Sequence, residues 1–136
     1  MKITGFNPII FTTKPEAAIE LFEALGFEQH HHKHGVNEDD KGLVETRMKN
    51  ADGRYVDVVS INLDKPDVTA IRMNVDNFDE AYAFLTAHGF KNTRGDKVTD
   101  TGSSRATMLV SPSGFAINLS QHIKSEESKP PVEPVV

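Results

Sequence analysis

The chain has 136 residues, 38% of them hydrophobic and 26% charged, with 15 basic against 20 acidic side chains for a net charge of −5. That length suggests one compact domain, and the acidic balance argues against a duplex-binding surface, which needs a basic footprint. With no cysteine, disulfides, thiolate metal centres and cysteine nucleophiles are excluded and a cytoplasmic location is expected; no apolar run approaches the ~20 residues of a membrane span.

In chain order, residues 3–12 read as a strand. Thr13-Lys-Pro-Glu16 has capping-box spacing, and Ala18, Leu21, Phe22 and Leu25 follow at i, i+3, i+4 and i+7 as one helical face. Gly26 supplies a left-handed stop. Residues 27–34 form a polar strand candidate and 35–42 a turn-rich loop. Residues 43–49 alternate, Asn50-Ala-Asp-Gly53 signals a hairpin, and 54–63 return as a β-rich run.

After a polar joint at Asp64-Lys-Pro-Asp67 the order repeats. Residues 69–75 predict a strand, and Asp76 or Asn77 caps a helix. Ala81, Phe84, Leu85 and His88 stand where Ala18, Leu21, Phe22 and Leu25 stood, and Gly89 where Gly26 stood. Strands are expected around 90–98, 105–110 and 115–121, with a turn at Ser111-Pro-Ser-Gly114. Gly53-Arg-Tyr-Val-Asp57-Val matches Gly114-Phe-Ala-Ile-Asn118-Leu. A repeat over so much of the chain predicts an internally duplicated α+β domain. Its expected form is two βαβββ repeats, residues 1–63 and 68–123, making a curved mixed sheet around a cup with the helices outside. Residues 124–136, proline-bearing and polar, read as a disordered tail.

The residues "PEAAIELFEALGF" (15–27), "FDEAYAFLTAHGF" (78–90) and "SPSGFAINL" (111–119) resemble the vicinal oxygen chelate superfamily of glyoxalases, extradiol dioxygenases and bleomycin-resistance proteins. The resemblance implies a divalent metal in the cup of the enzymes, held by histidine, glutamine or glutamate from the first and last strand of each repeat. Carried over, those positions fall on Asn7, Asp57, Ala70 and Asn118. A borderline metal wants about three imidazole or anionic ligands, so the metal is expected to be lost and no cofactor is expected.

Asp57 shares a strand face with Tyr55 and Val59. Two readings stand for it: a cup-facing carboxylate that binds or acts as a base, or a polar group bonded within the sheet. Arg72 can pair with Asp57 or grip an anion, or be an exposed strand arginine. Asn7, with Ile9 and Phe11 on its face, and Asn118 offer amides to a polar ligand or to the backbone. His30, His32 and His34 project to one side of an extended strand, which permits metal contact, yet no carboxylate in the run orients them. His88 fits a helix C-terminus better than a catalytic role. Ser103 and Ser104 lack a histidine nearby in sequence.

The function expected is metal-independent binding of a small drug or metabolite by a cytoplasmic homodimer, with Asn7, Phe11, Tyr55, Asp57, Arg72 and Asn118 as ligand-binding residues. The alternatives are an enzyme of the same superfamily (a lyase, isomerase or dioxygenase) with an atypical metal site, or a metal-free acid/base site at Asp57 and Arg72. An accessory domain that recognises another protein is the third.

Overall fold

The computed structural model describes residues 1–34, 44–62 and 64–122, the side chains of residues 31–34 excepted. The loop expected at 35–42 and the tail expected at 124–136 lie outside the described residues. Elements run β1 (Ile3–Thr12), α1 (Pro15–Ala24), β2 (Glu28–His34), β3 (Val44–Lys49), β4 (Tyr55–Ser60), β5 (Val68–Val75), α2 (Phe78–Ala87), β6 (Lys91–Asn92), β7 (Thr99–Asp100), β8 (Ser104–Val110) and β9 (Ala116–His122). The class is α+β, as the duplicated pattern predicts. Neither described helix is long and apolar enough to cross a membrane.

Contacts divide the chain into two compact units. The first is Asn7–Ile71; the second joins Met1–Phe6 to the described residues from Arg72 onward. In the first, the strand order is β2-β3-β4-β1. β1 runs parallel to β4, with Ile9 opposite Asp57, whereas β3 pairs antiparallel with both β4 and β2. Met48, Val56 and Val58 form the buried core, and α1 lays Ala18, Ile19 and Phe22 against them. In the second, β5, β9, β8 and β6 are successive neighbours and β7 pairs with β8. There α2 packs on β9 and buries Phe78, Ala81 and Leu85.

Both helices stop as their glycines predict. Gly26 and Gly89 sit at φ of 100° and 94°, and Phe27 and Phe90 donate back to Phe22 and Leu85 carbonyls at 2.9 and 3.1 Å. That six-to-one closure needs a residue without a Cβ penalty in the left-handed region.

Four expectations are corrected. The capping box at Thr13 does not form: Lys14 is the N-cap, without a side-chain bond, and the Lys14 amide donates instead to Thr12 Oγ1 at 3.0 Å. The expected strand at 90–98 is two short pieces, β6 and β7. Gly95, at φ 79°, turns the chain between them, and Asn92 Nδ2 donates to the Lys97 carbonyl at 2.9 Å. The helix face is also rotated. Leu21 and Leu25 are 55% and 63% exposed, and Phe84, at the position equivalent to Leu21, is 53% exposed. The sheet takes the Ala18/Phe22 and Ala81/Leu85 line. Because α1 carries apolar residues on adjacent sides, periodicity alone could not choose between them.

The fourth correction concerns the histidine run. β2 slips register between Gln29 and His31, leaving His30 as the extra residue, while His31, His32 and His34 pair with Arg47, Thr46 and Val44. The extra residue interrupts, at His30, the regular two-residue backbone alternation on which that expectation rests.

The rotated face sets an expected result. Leu21→Ala and Leu25→Ala should each change the unfolding free energy by less than about 0.5 kcal/mol. Phe22→Ala should cost about 2 kcal/mol, because its ring is half-buried on the core and meets Phe27 edge-on at 5.6 Å. Urea unfolding followed by circular dichroism checks both; equal losses at Leu21 and Phe22 would contradict the rotation.

Candidate functional site

Val56 and Val58 face α1, so strand alternation turns Tyr55, Asp57 and Val59 to the opposite face of the first unit. The same parity sends Arg47 and Lys49 of β3 there, since Met48 lies in the core. It sends Asn7, Ile9 and Phe11 of β1 there too, since Ile10 packs with the core. The hairpin register then places Arg47 opposite Asp57 and Lys49 opposite Tyr55.

Asp57 is fully buried and Asn7 is 6% exposed. Asn7 Nδ2 donates to Asp57 Oδ2 at 2.8 Å and to its neighbouring Pro8 carbonyl at 2.8 Å. The Arg47 guanidinium spans the pair. Its Nη1 lies 3.4 Å from both Asp57 oxygens, and its Nη2 donates to Asn7 Oδ1 at 3.4 Å. Behind it, Arg47 Cζ sits 4.0 Å from the Tyr55 ring centroid. Contacts of 3.4 Å are long for hydrogen bonds, so the Arg47–Asp57 attraction rests more on charge than on geometry.

A buried carboxylate is tolerated only when paired and bonded. Here the amide and the guanidinium meet that need. The structure thus brings together Asn7, Tyr55 and Asp57, with Phe11 half-buried on the same face.

Arg47 was missed by the sequence reading. Counting back from the Asn50–Gly53 turn would have found it, because that turn fixes which β3 residue faces Asp57. The turn itself is built as expected: Asn50 Oδ1 accepts from the Asp52 and Arg54 amides at 3.1 and 2.8 Å.

Arg72 and Asn118 belong to the second unit. Arg72 is half-buried on β5, and Asn118 is half-buried on β9 opposite Met108. Ile117 and Leu119 are buried and Gln121 bonds the start of α2, so Asn118 and Ser120 take the other face. Ser120 Oγ donates to Asn74 Oδ1 there. Gly5 permits that placement, since a Cβ on it would stand 2.7 Å from Asn74 Nδ2. His88 caps α2 with Nδ1 2.8 Å from the Phe84 carbonyl, a helix-terminus role as expected.

The metal that the sequence resemblance implies can be tested against these residues. Ala70 offers no donor, Asn7 and Asn118 offer neutral amides, and both Asp57 oxygens already face Arg47. Among the described residues no group of three or more histidine or carboxylate side chains is placed to hold an ion. This donor set does not fit a zinc-, nickel- or iron-type centre.

No protein-family model matches the chain, and no curated protein matches it. Solved structures do. A methylmalonyl-CoA epimerase aligns at TM-score 0.65 and 19% identity, covering 90% of this chain and 97% of its own. The methylmalonyl-CoA epimerase from Mycobacterium tuberculosis aligns at 0.67 and 16%, covering 92% and 91%. A glyoxalase/bleomycin resistance protein/dioxygenase superfamily member from Vibrio splendidus 12B01 aligns at 0.57 and 14%, covering 86% and 97%. At these identities the likeness is one of fold.

Proposed function

From the premise that this chain has the vicinal oxygen chelate fold, we propose that it is a metal-independent small-molecule-binding protein, sequestering a drug or metabolite. One observation carries the reading. Where the resemblance implies metal ligands, the first unit has a buried Asp57 already neutralised by the Arg47 guanidinium and bonded to Asn7. A tethered cation in that place competes with any ion from solution. The open edge of Arg47, with Tyr55 and Phe11 on the same face, gives a ligand both polar and apolar surface. Arg72 and Asn118, in the second unit, are proposed as ligand contacts of that unit. The reading includes a cytoplasmic homodimer, which light scattering after gel filtration tests.

Methylmalonyl-CoA epimerases among the structural neighbours favour a second reading, an isomerase or related enzyme with Asp57 and Arg72 in its chemistry. Both Asp57 oxygens already face Arg47 and one accepts from Asn7, which counts against Asp57 abstracting a proton.

The test is a thermal-shift screen of drugs and metabolites on protein with and without EDTA, beside elemental analysis of the purified protein. The expected result is a ligand whose stabilisation is the same in both conditions, with no stoichiometric metal. A stoichiometric divalent ion that disappears in Asp57→Ala would overturn the proposal. Epimerisation of an acyl thioester, abolished by Asp57→Asn, would replace it with the enzyme.

A further inference from the structure

We infer that the ligand is held by an oxyanion, a carboxylate or phosphate gripped between Arg47 and Lys49 over the Tyr55 ring. This rests on the ligand-binding reading above and names its ligand class.

Arg47 and Lys49 are two residues apart on β3, so both project from the face opposite α1. They share one aromatic ring: Arg47 Cζ is 4.0 Å and Lys49 Nζ 5.6 Å from the Tyr55 centroid. His30 approaches the same ring edge-on at 5.9 Å. Asp57 is the described carboxylate in contact with Arg47, and Glu28 stands opposite Lys49 in the β2–β3 register. Two like charges on one ring repel each other, and an anion bridging them removes that repulsion. The geometry leaves room for one. Arg47 meets Asn7 and Asp57 through its Nη atoms and is 22% exposed, and a guanidinium carries five N–H donors in a fork that suits carboxylate or phosphate.

Space for the body of the ligand lies alongside. A cavity of about 260 Å³ is lined by His30 and Lys49, both against the Tyr55 ring, and by Gln29, Asn50 and Glu28. That volume equals roughly nine water molecules, which fits a small organic acid and not a long one. Glu28 is the opposing charge on this cavity, and Gln29 is tied to Glu23 at 3.2 Å. Glu28 stands opposite Lys49 in the β2–β3 register, so the anionic group belongs on the Arg47 side of Lys49.

The experiment titrates EDTA-treated full-length protein with benzoate, phenyl phosphate, neutral benzamide and cationic benzamidine by NMR. Benzoate or phenyl phosphate should bind, whichever is tighter identifying the oxyanion, with benzamide and benzamidine at least about tenfold weaker. Lys49→Gln, a half-buried position outside the core, should weaken the anion about tenfold while the spectrum stays folded. Three results overturn the inference: neither anion binding at millimolar concentration, benzamidine binding best, or Lys49→Gln leaving the anions unaffected. The second leaves metal-independent binding standing with a different ligand class. Anion binding that vanishes with EDTA and returns with added divalent metal would instead sink the metal-independent reading.

Discussion

Arg47→Leu should lower the unfolding free energy by about 3 kcal/mol, a large effect for a partly exposed strand residue. The substitution keeps apolar volume over Tyr55 but withdraws a positive charge from beside a carboxylate that has no solvent exposure. Water cannot reach Asp57 to replace the lost attraction, so the desolvation cost of the ion falls on the folded state. Asp57→Asn alone should also destabilise, because it strands the guanidinium beside two amides. The double variant Arg47→Leu/Asp57→Asn should be less unstable than the sum of the two singles, with a coupling of about 1–3 kcal/mol. Urea unfolding of all four proteins closes that cycle. Additive losses would show that the pair is not acting as a unit, and the argument for a built-in cation would fall with it.

Phe78→Ala should cost about 3–5 kcal/mol. Phe78 is 1% exposed and opens α2 at the centre of the second unit's packing. Its ring stacks on Tyr82 at 5.9 Å and lies 4.5 Å under the Arg105 guanidinium. Arg105 in turn reaches Asp79 at 3.1 Å. Removing the ring leaves a void under a helix whose other buried contacts are Ala81 and Leu85, and the short alanine cannot close it. Phe84→Ala, six residues along on the exposed side, should cost less than about 1 kcal/mol despite removing the same group. Thermal and urea unfolding of the two variants give the comparison. Similar losses would mean that burial does not decide the cost here.

Much of this fold was legible because the signals were local. Gly26 and Gly89 fix helix ends through backbone conformation, which depends on the residue itself and not on distant packing. A cap at Asp76 or Asn77 was legible, and Asn77 fills it by accepting from the Glu80 amide at 3.0 Å. Ser111 closes the second turn by accepting from the Gly114 and Phe115 amides at 3.0 and 3.1 Å. Duplication then doubled each signal.

What was not legible depended on choices between near-equivalent arrangements. Thr13 had the right spacing for a cap, but the strand runs through Thr12 and the turn uses that hydroxyl first. Leu21 and Phe22 lie about 100° apart on one helix, and only the sheet beneath decides which is covered. The bulge at His30 is a register event, invisible to composition. Asp57 and Asn7 were singled out by the family resemblance, and alternation placed Tyr55 beside them. Arg47 matched no position that the resemblance implies and looked like an ordinary alternating strand cation until the hairpin register brought it to Asp57.

The copies in the sequence and the compact units in space are out of phase. β1 is one continuous strand, yet Met1–Phe6 belong with the second unit and Asn7–Thr12 with the first. The Lys2 amide donates to Asp76 Oδ1 at 2.7 Å, the Asp76 amide returns a bond to the Lys2 carbonyl at 3.0 Å, and the Met1 amine meets Glu80 at 2.9 Å. A gene cut at the joint around residue 65 would therefore deliver a later half without the opening residues that grip its helix start. Such interleaving ties the later copy to the earlier one: separated from it, the later copy loses the residues that bond its helix start.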